Sequence, residues 1–273
     1  MYTDAVFIAF AMTMIAGLST GFGSLLALLV KRTNTKLLSA VLGFSAGVMI
    51  YVSFVDLLSQ ANLMLVEVMG KRPGSWATVA AFFGGILLIA VIDKLIPSFE
   101  NPHEMRRLEE MDGDSCQIHS ATNSLMKMGM LTAVAIAVHN FPEGIATFVA
   151  ALHDPHLGIA ITLAIAIHNI PEGIAVSVPI FCATGSKQKA FVYSLLSGLS
   201  EPVGALLGYL FLLPILSDQV FGILFALVAG IMVFISLDEL LPTAREYGEP
   251  HIATYGLVAG MAVMAISLLL FIQ

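Results

Sequence analysis

Long apolar stretches separated by short polar breaks are the most regular feature of this chain. A membrane-spanning helix needs about 20 apolar residues. Eight stretches qualify, at residues 5–30, 36–58, 75–97, 124–151, 157–183, 188–213, 219–243 and 252–272. The stretch 98–123 differs because it is long, polar and acidic, which predicts a soluble loop. The pattern predicts an all-α integral membrane protein with eight transmembrane helices, forming one domain over residues 1–273.

Composition supports this class. Of the 273 residues, 58% are apolar and only 11% are charged, and the mean hydropathy is +0.92. A soluble protein of average composition carries about 25% charged residues, so a soluble globular protein is excluded. The two cysteines, Cys116 and Cys182, are too few for a disulfide framework. We expect the lipid bilayer to surround the chain and expect no nucleic-acid partner.

Lysine and arginine predict the orientation of the chain. With the N-terminus outside, ten basic residues lie on the cytoplasmic side and two on the outer side, as the positive-inside rule requires. The ten are Lys31, Arg32, Lys36, Lys94, Arg106, Arg107, Lys127, Lys187, Lys189 and Arg245, and the two are Lys71 and Arg72. Both termini are therefore predicted outside, and the 98–123 loop is predicted in the cytoplasm.

An internal repeat links the two ends of the chain. Residues 17–26 (GLSTGFGSLL) align with 198–207 (GLSEPVGALL), and residues 46–58 (AGVMIYVSFVDLL) align with 229–241 (AGIMVFISLDELL). The aligned helices cross the bilayer in opposite directions, so helices 1–3 and 6–8 form an inverted repeat around the inserted hairpin of helices 4 and 5. Inverted repeats are typical of transporters. The alternative is that spans rich in Gly, Ala, Ser and Leu resemble one another by composition.

One polar motif occurs twice inside this apolar sequence. His-Asn-Phe-Pro-Glu-Gly at 139–144 returns as His-Asn-Ile-Pro-Glu-Gly at 168–173, with five of six residues identical. Ionisable residues at membrane depth are expensive and are candidates for function. The prolines leave backbone carbonyls without their helical donor, which is tolerated where a helix lines a cavity or is buried in protein.

Spacing predicts that the two motifs face each other. His139 and Glu143 are four residues apart, as are His168 and Glu172, so each pair shares a helix face. His139 lies roughly 21 Å before the short loop that joins the helices, and His168 lies roughly 18 Å after it. The motifs therefore reach a similar depth on antiparallel neighbours.

The ligand types indicate a divalent transition metal. Two imidazoles and two carboxylates suit Zn²⁺, Fe²⁺, Mn²⁺ or Co²⁺ better than Mg²⁺ or Ca²⁺. The predicted metal ligands are His139, Asn140, Glu143, His168, Asn169, Glu172 and Glu201. The asparagines, the shared glutamates and Glu201, which precedes Pro202 in helix 6, give an oxygen-rich second site. The alternatives are a kinked packing motif and, for Glu201, a structural hydrogen bond.

Three further acids lie near helix ends. The predicted topology puts Asp56 near the outer mouth of a pathway, with Asp238 and its neighbour Glu239 near the inner mouth. Acidic groups at a mouth concentrate cations, although solvated helix ends explain them equally well. In the loop, His103, Cys116 and His119 are a weak metal-binding signal, and a solvated acidic loop is the better interpretation.

These features resemble the ZIP (Zrt/Irt-like) divalent metal transporters, and histidine in both motif copies resembles their bacterial ZupT-type branch. The resemblance covers essentially the whole chain. It implies a 3+2+3 helix bundle, import of divalent metal through a binuclear midplane site, elevator-like alternating access, a bacterial plasma-membrane location and, in some members, homodimers. In the family pattern His139, Glu143, His168 and Glu172 match the first site; Asn140, Glu143, Asn169, Glu172 and Glu201 match the second. The histidine-rich loop of many members is absent here.

We therefore expect a transporter, not an enzyme, that imports Zn²⁺ with Fe²⁺, Mn²⁺, Co²⁺ and Cd²⁺ as further substrates. The metals are substrates, and no cofactor is expected. Two alternatives remain, an intramembrane metal-dependent hydrolase and a metal-sensing receptor. A hydrolase needs an open metal position and a general base, and the inverted repeat disfavours both alternatives.

Overall fold

The computed structural model of the chain is helical, without strands, over the residues it describes: 2–29, 35–95, 122–212, 217–247 and 250–270. The loop histidines and Cys116 lie outside these ranges. Eight helices are described: α1 (Tyr2–Leu29), α2 (35–69), α3 (Lys71–Leu95), α4 (Thr122–His153), α5 (Pro155–Thr184), α6 (187–212), α7 (218–247) and α8 (Pro250–Leu270). Each contains a span long and apolar enough to cross a membrane, which confirms the eight predicted spans.

The turn between α4 and α5 is a single residue. Asp154 caps α5, because its carboxylate accepts a 2.8 Å hydrogen bond from the backbone N–H of His156, and Pro155 occupies the first helical position. At its other end α5 stops at Gly185, whose φ of +64° favours glycine. The one-residue turn at Asp154 makes α4 and α5 antiparallel neighbours.

Four helices form the centre of the bundle. Between 56% and 67% of the membrane span is buried in α2, α4, α5 and α7, against 17% to 39% in α1, α3, α6 and α8. The largest fully buried side chains include Phe148 in α4, Phe225 in α7 and Met49 in α2. The two helices that carry the repeated motif are therefore central.

Equivalent π-helical turns interrupt α2 and α7. They cover Ser53–Leu57 and Ser236–Leu240, which align in the sequence repeat. In each, the serine hydroxyl donates to the carbonyl four residues earlier, at 2.6 Å to Met49 and 2.7 Å to Met232. The same irregular backbone in both halves supports the repeat more strongly than composition does.

Helix packing follows the same repeat. α1 lies against α5, and α6 lies against α4. A methyl group added to Gly173 in α5 would overlap the carbonyl oxygen of Thr20, and one added to Gly144 in α4 would overlap that of Glu201. Thr20 aligns with Glu201. The repeat therefore relates the contact between α1 and α5 to the contact between α6 and α4.

Glycines also divide the helices into two groups. α2 approaches α8 through Gly43 and Gly256, and α3 approaches α7 through Gly85 and Gly230. Across the described part of the chain, every close approach of a glycine to another helix stays within the motif group (α1, α4, α5 and α6) or within the flanking group (α2, α3, α7 and α8). Backbone-to-backbone packing is thus strongest inside each group.

Candidate metal centre

The repeated motif lies in the most buried part of the protein. His139 and Glu143 of α4 are 1% exposed, and His168 and Glu172 of α5 are fully buried. Both helices continue through their motif prolines without interruption. Since α4 and α5 contain no lysine or arginine from residue 132 to 184, their only side chains there that can carry a positive charge are histidines.

The histidines and glutamates form two crossed pairs. His139 Nε2 lies 3.3 Å from Glu172 Oε1, and His168 Nε2 lies 3.3 Å from Glu143 Oε2. Each histidine thus contacts the glutamate of the other helix. The two motifs share one depth and face each other, as their spacing predicts.

Glu201 of α6 joins the site through the second motif. The Asn169 amide donates to Glu201 Oε1 and also donates to the carbonyl of Ala16 in α1 at 2.9 Å. Asn140 is equally buried, but neither of its side-chain polar atoms has a hydrogen-bond partner. The predicted second-site residues therefore lie around the contact of α4, α5 and α6.

A local break in α6 positions Glu201. The helix is interrupted at Leu199 and restarts at Ser200, so Pro202 falls in the first turn of the new segment, where a proline costs little. The carbonyl of Gly198 loses its usual helical donor at position 202. Glu201 is consequently held, fully buried, beside a break in the backbone.

Several buried oxygen and nitrogen atoms at the centre lack hydrogen bonds. They are both polar atoms of Asn140, both ring nitrogens of His139, Nδ1 of His168, Oε1 of Glu143, both carboxylate oxygens of Glu172, Oδ1 of Asn169 and Oε2 of Glu201. Unpaired buried polar groups are rare and call for a partner, and most of these atoms can donate an electron pair to a cation. Among the residues that the structure describes, no three His, Cys, Asp or Glu side chains are grouped closely enough to enclose an ion. The histidines and glutamates instead meet in the two pairs described above.

The three acids predicted near the mouths of the pathway all lie in the flanking group. Asp56 and Glu239 occupy equivalent positions in the two π-helical turns, and each is 9% exposed. Glu239 is close enough to His139 to interact with it electrostatically. Asp238 is exposed and points away from the buried face. Glu239 therefore connects the flanking group electrostatically to a motif histidine.

Sequence reasoning missed two buried hydroxyls beside the motif. Thr20 and Ser24 of α1 are fully buried, and neither hydroxyl oxygen has a hydrogen-bond partner. The internal repeat could have indicated Thr20, because Thr20 aligns with the predicted ligand Glu201.

Comparison with known proteins identifies the family. A family model described as "ZIP Zinc transporter" matches residues 97–268, which is more than half of the chain. The chain belongs to the ZIP family. ZIP membership and the eight long apolar helices make it a multi-pass membrane protein, and a transporter-family protein instead of an enzyme.

Curated ZIP relatives match nearly end to end. A protein named zinc transporter ZupT from Streptococcus mutans is 61% identical over 267 residues, which cover 98% of this chain and 98% of the relative. The zinc transporter ZupT of Oceanobacillus iheyensis is 59% identical, with 98% and 99% covered. That of Clostridium perfringens is 58% identical, with 98% and 97% covered. These relatives confirm the resemblance to the ZupT-type branch.

Proposed function

We propose that this ZIP protein imports divalent transition metals, with Zn²⁺ as a substrate and Fe²⁺, Mn²⁺, Co²⁺ and Cd²⁺ as further candidates. The observation that carries the proposal is the buried pair of crossed His–Glu contacts, both 3.3 Å long. Relatives named as zinc transporters support zinc as a substrate. Their near-complete coverage of the chain makes a shared function the simplest interpretation.

The ligands support a binuclear site. In the proposed first site, His139 and His168 provide imidazole nitrogens, and Glu143 and Glu172 provide carboxylates. In the second, Glu201 and the two motif asparagines add oxygen ligands, and the motif glutamates bridge both ions. Nitrogen and oxygen donors of this kind suit Zn²⁺, Fe²⁺ and Mn²⁺.

Ligand exchange gives the metal a route through the apolar interior. Burying a divalent ion without compensation is prohibitively costly, so protein ligands have to replace its water as it enters. The unpaired oxygens of Asn140, Glu143 and Glu201 are available for this exchange. The crossed histidine contacts hold the carboxylates at the centre when they are not bound to metal.

The two helix groups support the proposal of alternating access. In this proposal the motif group carries the metal past the flanking group, so α1 and α6 move together with α4 and α5. Support comes from the close glycine contacts, which lie within each group among the described residues. Side chains meet across the boundary instead, as where the Ser45 hydroxyl of α2 contacts the His168 carbonyl at 3.3 Å.

The test is uptake of radioactive zinc into proteoliposomes that contain the purified protein. Glu143→Gln and Glu172→Gln remove charge without changing size, and we expect each to lower saturable uptake by about 100-fold. Asp218→Asn is the matched control, because the Asp218 side chain is 67% exposed at the start of α7, and it retains uptake.

Two results would contradict the proposal. Normal uptake by both glutamate variants would reject the assigned site. Absence of flux in folded wild-type protein that binds zinc would reject transport and favour a metal-sensing receptor. Competition by Fe²⁺, Mn²⁺, Co²⁺ and Cd²⁺ in the same assay then ranks the substrates.

A further inference from the structure

Two hydroxyl groups in α1 depart from the pattern of the rest of the protein. Thirteen serines and threonines are buried among the described residues. Eleven of them donate to a backbone carbonyl, as Thr13 does to Ala9 at 3.0 Å. Only Thr20 and Ser24 have no partner. Membrane helices normally satisfy such hydroxyls within the helix, so these two call for another partner.

Their position is next to the proposed metal site. The Thr20 hydroxyl lies against Gly198 in α6, three residues before Glu201, because a methyl group built on Gly198 would lie 2.8 Å from it. The backbone of Thr20 and Ser24 packs on Gly173, which ends the second motif. Ser24 is one helical turn beyond Thr20, about 6 Å further along the axis.

The repeat relates Thr20 to a residue of the first motif. Glu201 of α6 reaches Asn169 of α5. The repeat exchanges α6 with α1 and α5 with α4, so the position equivalent to Glu201 is Thr20 and the residue equivalent to Asn169 is Asn140. α1 also packs directly on α4. Thr20 and Asn140 are thus the counterparts of a bonded pair, and both have unpaired buried atoms.

We propose that the hydroxyls of Thr20 and Ser24 contact the transported divalent cation. This inference rests on the proposed transport function. Thr20 supplies a neutral oxygen ligand on the α1 side of the second site, opposite the Glu201 carboxylate, and Ser24 offers the next oxygen along α1. The second site is therefore unequal, with a charged ligand on one side and a neutral one on the other.

A neutral oxygen makes a specific contribution to selectivity. Hydroxyl and carbonyl oxygens suit harder ions such as Mn²⁺, whereas softer ions depend more on nitrogen and sulfur ligands. Loss of the Thr20 oxygen is therefore expected to impair Mn²⁺ transport more than Cd²⁺ transport. A purely structural role for Thr20 would affect both ions equally.

The experiment compares Thr20→Val with Thr20→Ser in proteoliposomes. Valine has the shape of threonine without the hydroxyl, and Thr20 donates no hydrogen bond that valine would break. We expect Thr20→Val to raise the KM for Zn²⁺ about five-fold and to lower the Mn²⁺/Cd²⁺ uptake ratio about three-fold or more. Thr20→Ser keeps values close to wild type. Ser24→Ala is expected to shift the ratio in the same direction by a smaller factor.

Thr13→Val is the matched control on the same helix, because its hydroxyl already bonds to the Ala9 carbonyl within α1 and lies about 10 Å from Thr20 along the helix axis. An unchanged KM and metal ratio in Thr20→Val, with normal wild-type uptake and loss of uptake in Glu143→Gln, would overturn this inference but leave the transport function intact. Equal effects of Thr13→Val and Thr20→Val would also overturn it, because they would indicate packing. Absence of wild-type uptake would instead reject the transport function.

Discussion

Glu201 differs chemically from the paired motif glutamates. Glu143 and Glu172 each contact a histidine, whereas Glu201 contacts an asparagine amide. In the proposed site the motif glutamates bridge two ions, and Glu201 belongs to the second ion alone. The three carboxylates should therefore respond differently to neutralisation.

We predict that Glu201→Gln lowers bound zinc from about two ions per protomer to about one, because the first-site ligands remain. Glu143→Gln should weaken both ions, since it removes a bridge. Equilibrium dialysis with elemental analysis of the detergent-purified protein measures the stoichiometry. Equal zinc content in both variants would argue against separate roles.

For single residues, the sequence predicts where the motif side chains lie better than it predicts which side chains contact each other. The four-residue spacing correctly indicates that His139 and Glu143 share a face, and the depth estimate correctly brings the motifs together. Which histidine contacts which glutamate depends on how α4 and α5 are rotated about their axes. Spacing along one helix contains no information on that rotation, so the crossed pairs emerge only from the structure.

At the scale of elements, hydropathy locates helices better than it locates their ends. The fifth span, predicted at 157–183, is Pro155–Thr184 in the structure. The second was predicted to end at residue 58, but α2 continues through Leu58–Met69. That segment contains Gln60, Asn62 and Glu67, whose polarity ends an apolar stretch without ending a helix. The π-helical turns were not predicted because they depend on packing against other helices.

Two adjacent glycines of α3 test the helix packing. A methyl group on Gly85 would overlap the carbonyl of Leu227 in α7, whereas one on Gly84 meets no atom within 4 Å. We predict that Gly85→Ala destabilises the protein by about 1–3 kcal/mol or more through overpacking. Gly84→Ala should stay within about 1 kcal/mol of wild type, in the stabilising direction that helix propensity favours.

Thermal unfolding in detergent compares the two variants under identical conditions. Equal stability of Gly84→Ala and Gly85→Ala would mean that α3 and α7 are not in close backbone contact. The comparison needs no metal, so it tests the flanking group independently of the transport proposal.

For the whole molecule, the sequence predicts the helix count and the inverted repeat, and the structure confirms the all-helical eight-span architecture. The grouping of α1 and α6 with α4 and α5 was not predicted, because helices far apart in sequence leave no local pattern of contact. The glycines that create it are visible in the sequence, but their partners are not.

Orientation in the membrane is also a property of the whole molecule. We predict that Lys71→Cys reacts with an impermeant maleimide on intact cells, because the positive-inside rule puts this turn outside. Gln188→Cys should react only after permeabilisation. Both positions are exposed, and both variants are made with Cys116→Ser and Cys182→Ser. Labelling of Gln188→Cys alone on intact cells would mean that the chain is inverted.

The unequal pair of Thr20 and Glu201 limits how such a protein can arise. Two identical half-length chains meeting as a symmetric dimer would reproduce the reciprocal contact of Gly17 with Gly198. In that dimer, one codon would determine both the threonine and the glutamate positions, so both would carry the same residue. In the proposed second site, a neutral ligand opposite a charged one requires that each half has its own coding sequence. Joining the halves in one chain thus allows the two sides of the second site to evolve independently.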